Sequence, residues 1–430
     1  MLKVKNYTGF SKALINLKIQ LYTFVHFSGQ LLLGRIKLKY FIRVLKRLLF
    51  FLSYMKQNKY AKIGKRLKIN LYLPGFPSKA YFQACNKVTE FDKKMPSISA
   101  LISITSACRY KCPHCYQKHD KGKDADINIL IETVKNLQNK GIAFFNIEGG
   151  EPFLVFDRLK QVCNAIDDRS EILINSTGDG MTLENMTELR KNKNIIGIMF
   201  SLHTDNQDQM NSFMGVENAW ENLKNGIELC HKLGFAVMFN TCLLREAFYD
   251  GTFENIMNIV KDFNGSLLQL IKPKPAGGWL ESGIEDFSKE DFEHIKNLAH
   301  KYNLDKRYRE YAFISPMILE ESPEYFGCTA GGTDRFYINA KGDLQACEFL
   351  NLSFGNIQTD DFDTIYDKMR EVFDKPCQSW LCEKYSCQIH KLKTENNLAS
   401  LPLSPELSEQ VYASWERESL TDFYKKLEEL

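Results

Sequence analysis

The chain has 430 residues, 12 of them cysteine, and a net charge of +3 from 56 basic and 53 acidic side chains. That balance hides a division: residues 1–89 carry 18 Lys or Arg and no Asp or Glu, while the rest carries 38 basic against 53 acidic groups, a net −15. The longest uncharged run, residues 19–34, has 16 residues and includes His26, Ser28 and Gln30, fewer than the roughly 20 apolar residues of a spanning helix, and no apolar core with a small-residue cleavage site follows the start, so neither a membrane span nor a removable signal peptide is expected.

Residues 1–58 read as a basic amphipathic helical arm. On a helical wheel of residues 37–56, Lys39, Arg43, Lys46 and Arg47 gather on one side, and Phe41, Leu45, Leu48, Leu49, Leu52 and Met55 on the other. Such a helix suits an anionic membrane surface, where each basic residue near the leaflet contributes on the order of 1 kcal/mol. The competing expectation is that its apolar side packs on the body of the protein with the lysines solvated. Nucleic acid is a poorer partner, because aliphatic, phenylalanine-rich helices make weak phosphate footprints and no RNA-binding module is present. Residues 59–96, with Leu73-Pro-Gly-Phe-Pro-Ser78, read as an extended connector, since proline disfavours helix at the residue before it.

From residue 97 to 320 short apolar runs alternate with segments of helical spacing. Strands are predicted over residues 99–105, 142–147, 171–175, 195–202, 235–241 and 266–271, with a helix over 125–140. Six strand–helix units in series imply a parallel, barrel-like sheet covered by helices, with function at the carboxyl ends of the strands. Two motifs stand at such ends. Cys108-Arg-Tyr-Lys-Cys112-Pro-His-Cys115 follows the first strand, and Glu148-Gly-Gly-Glu-Pro152 follows the second. By chance a chain of this composition would hold about 0.01 copies of that cysteine spacing. Three thiolates can ligate three corners of a cubane cluster and leave one iron open, whereas a zinc knuckle needs a fourth ligand, with only His114 and His119 near.

In residues and order these motifs resemble the radical S-adenosylmethionine (SAM) superfamily. The resemblance implies an α/β fold: a partial (β/α)6 barrel of the radical SAM type, preceded by the basic arm. It further implies a [4Fe-4S] cluster on Cys108, Cys112 and Cys115, and SAM chelating the open iron. Reductive cleavage of SAM would give a 5′-deoxyadenosyl radical that abstracts hydrogen from an organic substrate. Gly149, Gly150 and Glu151 would receive the SAM ammonium, and Ser201 would lie near its carboxylate or ribose. Asn175-Ser-Thr-Gly178 falls where relatives carry Thr-Asn-Gly, but the usual asparagine position is Thr177 here, which weakens a ribose contact for Asn175. His203 stands where aspartate is common, and a solvated or capped role competes with a catalytic one.

Downstream, Cys328, Gly342 and Cys347 have the spacing of the first half of a SPASM or twitch extension, with Gly342-Asp343 as the turn of a hairpin between residues 335–338 and 344–346. Cys377, Cys382 and Cys387 follow. A small cysteine-rich auxiliary-cluster domain is expected over residues 321–392, holding one auxiliary [4Fe-4S] cluster. Five thiols are one more than a cubane needs, and a zinc site is the structural alternative. Cys85, Cys163, Cys230 and Cys242 sit in apolar or helical contexts and read as buried small hydrophobes. Residues 393–430 form a tail with a helix-like segment over 406–430.

Clusters of free thiolates need reducing conditions, so a cytoplasmic location is expected, with peripheral attachment to the inner face of the membrane through residues 1–58. The expected electron donor is a flavodoxin or ferredoxin. The substrate is expected to be membrane-associated or lipid-like, with a ribosomally made peptide as the alternative. From a different class, an iron–sulfur redox or structural metal protein would carry the clusters without SAM chemistry.

Overall fold

The computed structural model describes residue 2 and residues 4–89, 95–281, 284–416 and 418–430. Six parallel strands stand in chain order: β4 (Ser99–Ser103), β5 (Phe144–Glu148), β6 (Glu171–Ser176), β7 (Ile195–Ser201), β8 (Ala236–Cys242) and β9 (Leu267–Ile271). Their sequences are near-continuous apolar runs because both faces are covered, by helices outside and by inward side chains within. All six lie within two residues of their predicted positions. The helix after β4 spans Ile127–Asn139, started by the Asp126 carboxylate, which accepts from the backbone N–H groups of Asn128 and Ile129.

The sheet does not stop at six strands. Phe313–Ser315 (β10) adds a parallel strand beside β9. On the other edge, Arg335–Ile338 (β11) pairs in parallel with β4, and Asp343–Cys347 (β12) and Leu350–Asn356 (β13) continue as an antiparallel meander. The cysteine-rich region thus grows out of the barrel's own ten-stranded sheet. The hairpin turn falls where the sequence placed it, at Gly342, whose φ of +92° is one that glycine adopts freely.

The amino-terminal region corrects two expectations. Residues 59–96 are not an extended connector: Tyr60–Ile63 (β2) and Arg66–Lys68 (β3) form a small antiparallel sheet with Val4–Tyr7 (β1), and a helix, α3, spans Lys79–Thr89. Residues 90–94, the later part of that stretch, lie outside the described residues. The prolines at 74 and 77 precede α3, and Ser78 Oγ accepts from the Tyr81 N–H to start it, so proline restricts the approach and not the helix. The segment closes the amino-terminal mouth of the barrel, where Ala61, Ile63 and Leu71 pack with Phe144, Leu173, Met199, Met238 and Leu267. Buried Lys68 holds this plug together by donating to the carbonyls of Leu71 (2.8 Å) and Leu73 (2.6 Å).

The second correction concerns the arm, which forms two helices, α1 (Gly9–Leu32) and α2 (Leu38–Tyr54). The amphipathic helix predicted over 37–56 is present as α2, but its apolar side faces the protein. Val44, Leu48 and Leu52 are buried with Tyr60, Tyr81, Cys85 and Ala143. Arg47, placed on the basic side by the wheel, is only 1% exposed, because it lies next to Leu48 at the edge of the buried stripe. Most of that apolar face is therefore taken by the protein, with Leu49 left about half exposed. The tail is likewise two helices, Pro405–Tyr412 and Asp422–Glu429. Phe423 of the second stacks on Phe50 of α2 at 5.2 Å and meets Phe326 edge-on at 4.8 Å. Among the described residues no helix is long and apolar enough to cross a membrane.

Because α2 is part of the core, Leu52→Ala is expected to lower the unfolding free energy by about 3 kcal/mol. Thermal or denaturant unfolding of the full chain checks this, and an unchanged midpoint would mean that the arm is not integral.

Candidate functional site

The residues that follow β4 form a loop that carries Cys108, Cys112 and Cys115 at the carboxyl end of the barrel. Its start is tied down by Asp124, whose carboxylate accepts from Thr105 Oγ1 (2.6 Å) and the Ser106 N–H (2.9 Å). The Gly149–Gly150 turn after β5 lies directly on it. Gly150 N–H donates to Thr105 O and Glu151 N–H to Ala107 O, each at 2.8 Å. A Cβ at Gly149 would come within 2.7 Å of Thr105 O, and one at Gly150 would collide with Ala107 O and come within 2.8 Å of Cys108 Cβ. The glycines thus admit the neighbouring cysteine loop, not only a ligand. A second pair, Gly277 and Gly278, touches the other side of the loop. Gly278 N–H donates to Cys115 O at 2.9 Å, and a Cβ on either glycine would strike the backbone of residues 113–116.

Glu151 is fully buried, and its carboxylate is consumed by four donors. Oε1 accepts from the Phe153 N–H (3.1 Å) and Ser176 Oγ (2.8 Å), and Oε2 from the Thr177 N–H (2.7 Å) and Thr177 Oγ1 (2.6 Å). It braces the turn after β5 against the turn after β6, which is the place of Thr177. Burial pushes its carboxyl up to about 7 against those donors. Among the residues expected at the SAM site, Gly149, Gly150, Asn175 and Ser201 line a solvent-open cavity of about 1290 Å³, together with the three cysteines; Glu151 does not.

The cavity also holds His203 and, beside it, groups that sequence reasoning did not single out. Glu148 Oε1 accepts from Tyr116 OH at 2.7 Å, while Oε2 accepts from Asn146 Nδ2 (3.1 Å) and Asn175 Nδ2 (3.0 Å). Burial, with the nearby Glu348 carboxylate, pushes Glu148 up to about 8. His203 accepts from the Cys242 N–H at 3.2 Å through Nδ1 and packs edge-on to His114 at 4.4 Å. Desolvation takes His114 down to about 4 and His203 well below its usual range, so both rings are neutral. Lys272 and Lys274, just past β9, share Glu383 at 2.8 and 3.1 Å, and Lys274 lies 3.5 Å from the centre of the Trp380 ring. The signal for both lysines was their position after a strand's carboxyl end; for Glu148 it was membership of the Glu148–Pro152 motif.

The downstream thiols gather at a second, smaller cavity of about 320 Å³ lined by Cys328, Cys347 and Cys382 with Lys274, Arg335, Phe349 and Trp380. Cys377 is joined to Cys328 through both backbone hydrogen bonds of an antiparallel bridge, at 2.8 and 3.1 Å. Cys387 is exposed, more than a turn further along the helix Leu381–Glu395, and does not line this cavity. Cys347 Sγ donates to Glu348 Oε2 at 3.0 Å. Burial raises Cys112, Cys377 and Cys382 to about 12 and Cys108 to about 11, so without a metal these thiols keep their protons. Cys85, Cys163 and Cys230 are buried away from both cavities, whereas Cys242 lines the larger one.

Residues 102–260 match the model of the radical SAM superfamily. The chain carries a radical SAM domain. It is 22% identical over 289 residues to the AdoMet-dependent heme synthase of Oleidesulfovibrio alaskensis, covering 62% of this chain and 73% of the relative. It is 23% identical over 283 residues to the antilisterial bacteriocin subtilosin biosynthesis protein AlbA of Bacillus subtilis, covering 63% and 59%. In structure it resembles Streptococcus suis SuiB bound to the precursor peptide SuiA, with a TM-score of 0.52 and 16% identity over 66% of this chain and 68% of that one. That likeness supports the partial barrel and its extension as a fold.

This radical SAM enzyme uses a [4Fe-4S] cluster and SAM, and its residues fit both. Among the described residues no three His, Cys, Asp or Glu side chains converge on one metal ion. The triad thiols instead all stand on the wall of the larger, solvent-open cavity. The buried atoms Asn146 Oδ1, Asn175 Oδ1 and His114 Nδ1 lack hydrogen-bond partners, the condition of a polar wall that awaits a polar ligand.

Gly150→Ala is expected to displace the cysteine loop and cut cluster loading severalfold, read as iron per chain after anaerobic reconstitution. Glu148 supplies a pH test. Its carboxyl is neutral in the fold up to about pH 8 but ionises near 4.5 in the unfolded chain, so folding takes up a proton in that window and stability falls as pH rises through it. Glu148→Gln can reproduce the protonated acid, with Nε2 facing Tyr116 and Oε1 accepting from Asn146 and Asn175. The variant should therefore gain about 2 kcal/mol on the parent between pH 6 and 8, seen as converging or crossing unfolding midpoints; parallel curves would refute the assignment.

Proposed function

We propose that this enzyme modifies a peptide, held between the cysteine triad and an auxiliary [4Fe-4S] cluster. The observation that carries the reading is a shared wall: Lys274 and Phe349 line both the large cavity and the small thiol-lined one. A substrate against that wall reaches both centres. The likeness to SuiB, which binds its precursor peptide, and to AlbA, a bacteriocin biosynthesis protein, supports a peptide over the lipid-like substrate expected from the arm.

In this reading Cys108, Cys112 and Cys115 ligate the first cluster. The carbonyls of Gly149 and Gly150, with Asn175 Oδ1 and Ser201 Oγ, hold SAM, and Glu151 acts as the brace that positions the turn. When bound, the cluster and SAM supply radical hydrogen abstraction, with the electron drawn from a flavodoxin or ferredoxin. Cys328, Cys347, Cys377 and Cys382 provide four thiolates for one auxiliary cubane, which leaves Cys387 as the surplus thiol. Residues 97–320 act as the radical SAM core and residues 321–392 as the auxiliary unit. The Lys272–Glu383–Lys274 bridge fixes the auxiliary helix over the cavity, and the neutral His114 and His203 keep an uncharged wall beside the reacting groups.

Anaerobically reconstituted enzyme should hold about eight irons per chain in two cubanes. Cys387→Ala should keep that number, while Cys382→Ala should fall to about four and Cys115→Ala should lose 5′-deoxyadenosine formation. Equal iron loss from Cys387→Ala and Cys382→Ala would refute the ligand choice. For the substrate, SAM cleavage is compared with a peptide fraction and a lipid fraction of cell extract; stimulation by lipid alone would overturn the peptide reading.

A further inference from the structure

Helix α1 carries large apolar side chains on two opposite sides, with polar residues such as Lys12, Asn16, Lys18 and Gln20 scattered among them. The face toward the protein buries Ile19, Thr23 and Phe27, with His26 stacked on Phe82 of α3 at 3.7 Å. The opposite face presents Phe10, Leu14, Leu17, Leu21, Val25 and Leu32 at spacings of three, four or seven residues, the repeat of one helix face. These side chains are uncovered: Phe10 is 79% exposed, Leu17 and Leu21 62%, and Leu32 87%. Together they make a row about 33 Å long. Two apolar sides call for cover on both, and the protein supplies it for only one.

The surroundings identify the other cover. Leu33, Leu38, Ile42 and Leu49 extend the exposed apolar surface onto the turn after α1 and onto α2. Exposed Lys18, Arg35, Lys37, Lys39 and Lys46 lie along the same stretch, and residues 1–89 contain no acidic side chain. Leu430, at the end of the tail, shares a groove with Lys39 and Lys46. An apolar row bordered by cations on one polypeptide stretch is complementary to a bilayer surface, with acyl chains for the row and anionic headgroups for the lysines. A second copy is disfavoured, because a two-fold contact through this face would set the same cations against each other.

We propose that α1, and not the amphipathic α2, docks this enzyme on an anionic lipid surface, with Phe10, Leu14, Leu17, Leu21, Val25 and Leu32 inserted below the headgroups. Helix α2 then serves as the support on which α1 is mounted. Docking of this kind is peripheral, since the helix stays packed on the body along its other side.

The test is flotation of the full-length chain with vesicles of phosphatidylcholine alone or mixed with phosphatidylglycerol, at low and high salt. The expected result is binding to the anionic vesicles, weakened by salt, with less on neutral ones. The double variant Leu17→Glu and Leu21→Glu should bind roughly tenfold less while keeping its iron content. As a second reading that leaves the surface apolar, Leu21→Trp should shift its fluorescence to the blue with anionic vesicles. Failure of the parent chain to float, no shift from Leu21→Trp, or equal binding by the glutamate variant would each overturn the proposal. So would a dimer in lipid-free solution that the glutamate variant splits, because the row would then be covered by a second copy. None of these readouts uses SAM cleavage or a peptide, so the outcome is separate from that of the proposed substrate.

Discussion

The site depends on one close approach of backbone to backbone. The turn after β5 lies on the cysteine loop at a separation that leaves no room for a Cβ at residue 149 or 150, and two amide–carbonyl bonds stitch the contact. The buried Glu151 carboxylate holds that turn from behind, and Thr177 and Ser176 hold Glu151. A second glycine pair at 277–278 presses on the far side of the loop. The cysteines therefore stand on a loop clamped between two strand ends, the kind of support that a site built on rigid elements requires.

The cavity above this clamp is mostly neutral despite its many titratable groups. Burial keeps the thiols and Glu148 protonated and the two histidines uncharged. The fixed charges collect at one edge, where Lys272 and Lys274 meet Glu383 and where Arg335 pairs with Glu321. That edge is also the boundary with the downstream thiols. A cluster that carries negative charge at Cys382 would be neighboured by Lys274, which compensates it without a change in the rest of the wall.

The barrel itself is open at neither end by accident. The plug made by residues 60–73 fills the amino-terminal mouth, with Lys68 satisfied by carbonyls of its own segment. The aromatic contacts between α2 and the final helix bring the two ends of the chain together beside the auxiliary region. What looked like an appendage is thus packed on the body of the protein, and its exposed apolar side chains lie mostly on the outer face of α1.

The elements that were legible in the sequence are those whose signal is local. The six barrel strands showed as buried apolar runs, the hairpin as a Gly342 turn, and the first cysteine set as a spacing with its glycine-rich partner. The amino-acid sequence by itself determined the class of chemistry, because three thiols at that spacing after a strand, followed by the Gly-Gly-Glu-Pro turn, suit few other tasks. Tertiary structure decided what depends on distant partners. It gave the Glu151 carboxylate four donors, from residues 153, 176 and 177, that its own segment does not reveal. It set Cys387 apart from Cys382, since five residues along a helix carry a side chain to a different face. It also set the apolar side of α2 against the body and left the outer side of α1 uncovered. A helical wheel records which side is apolar, but only packing says whether protein or solvent lies against that side.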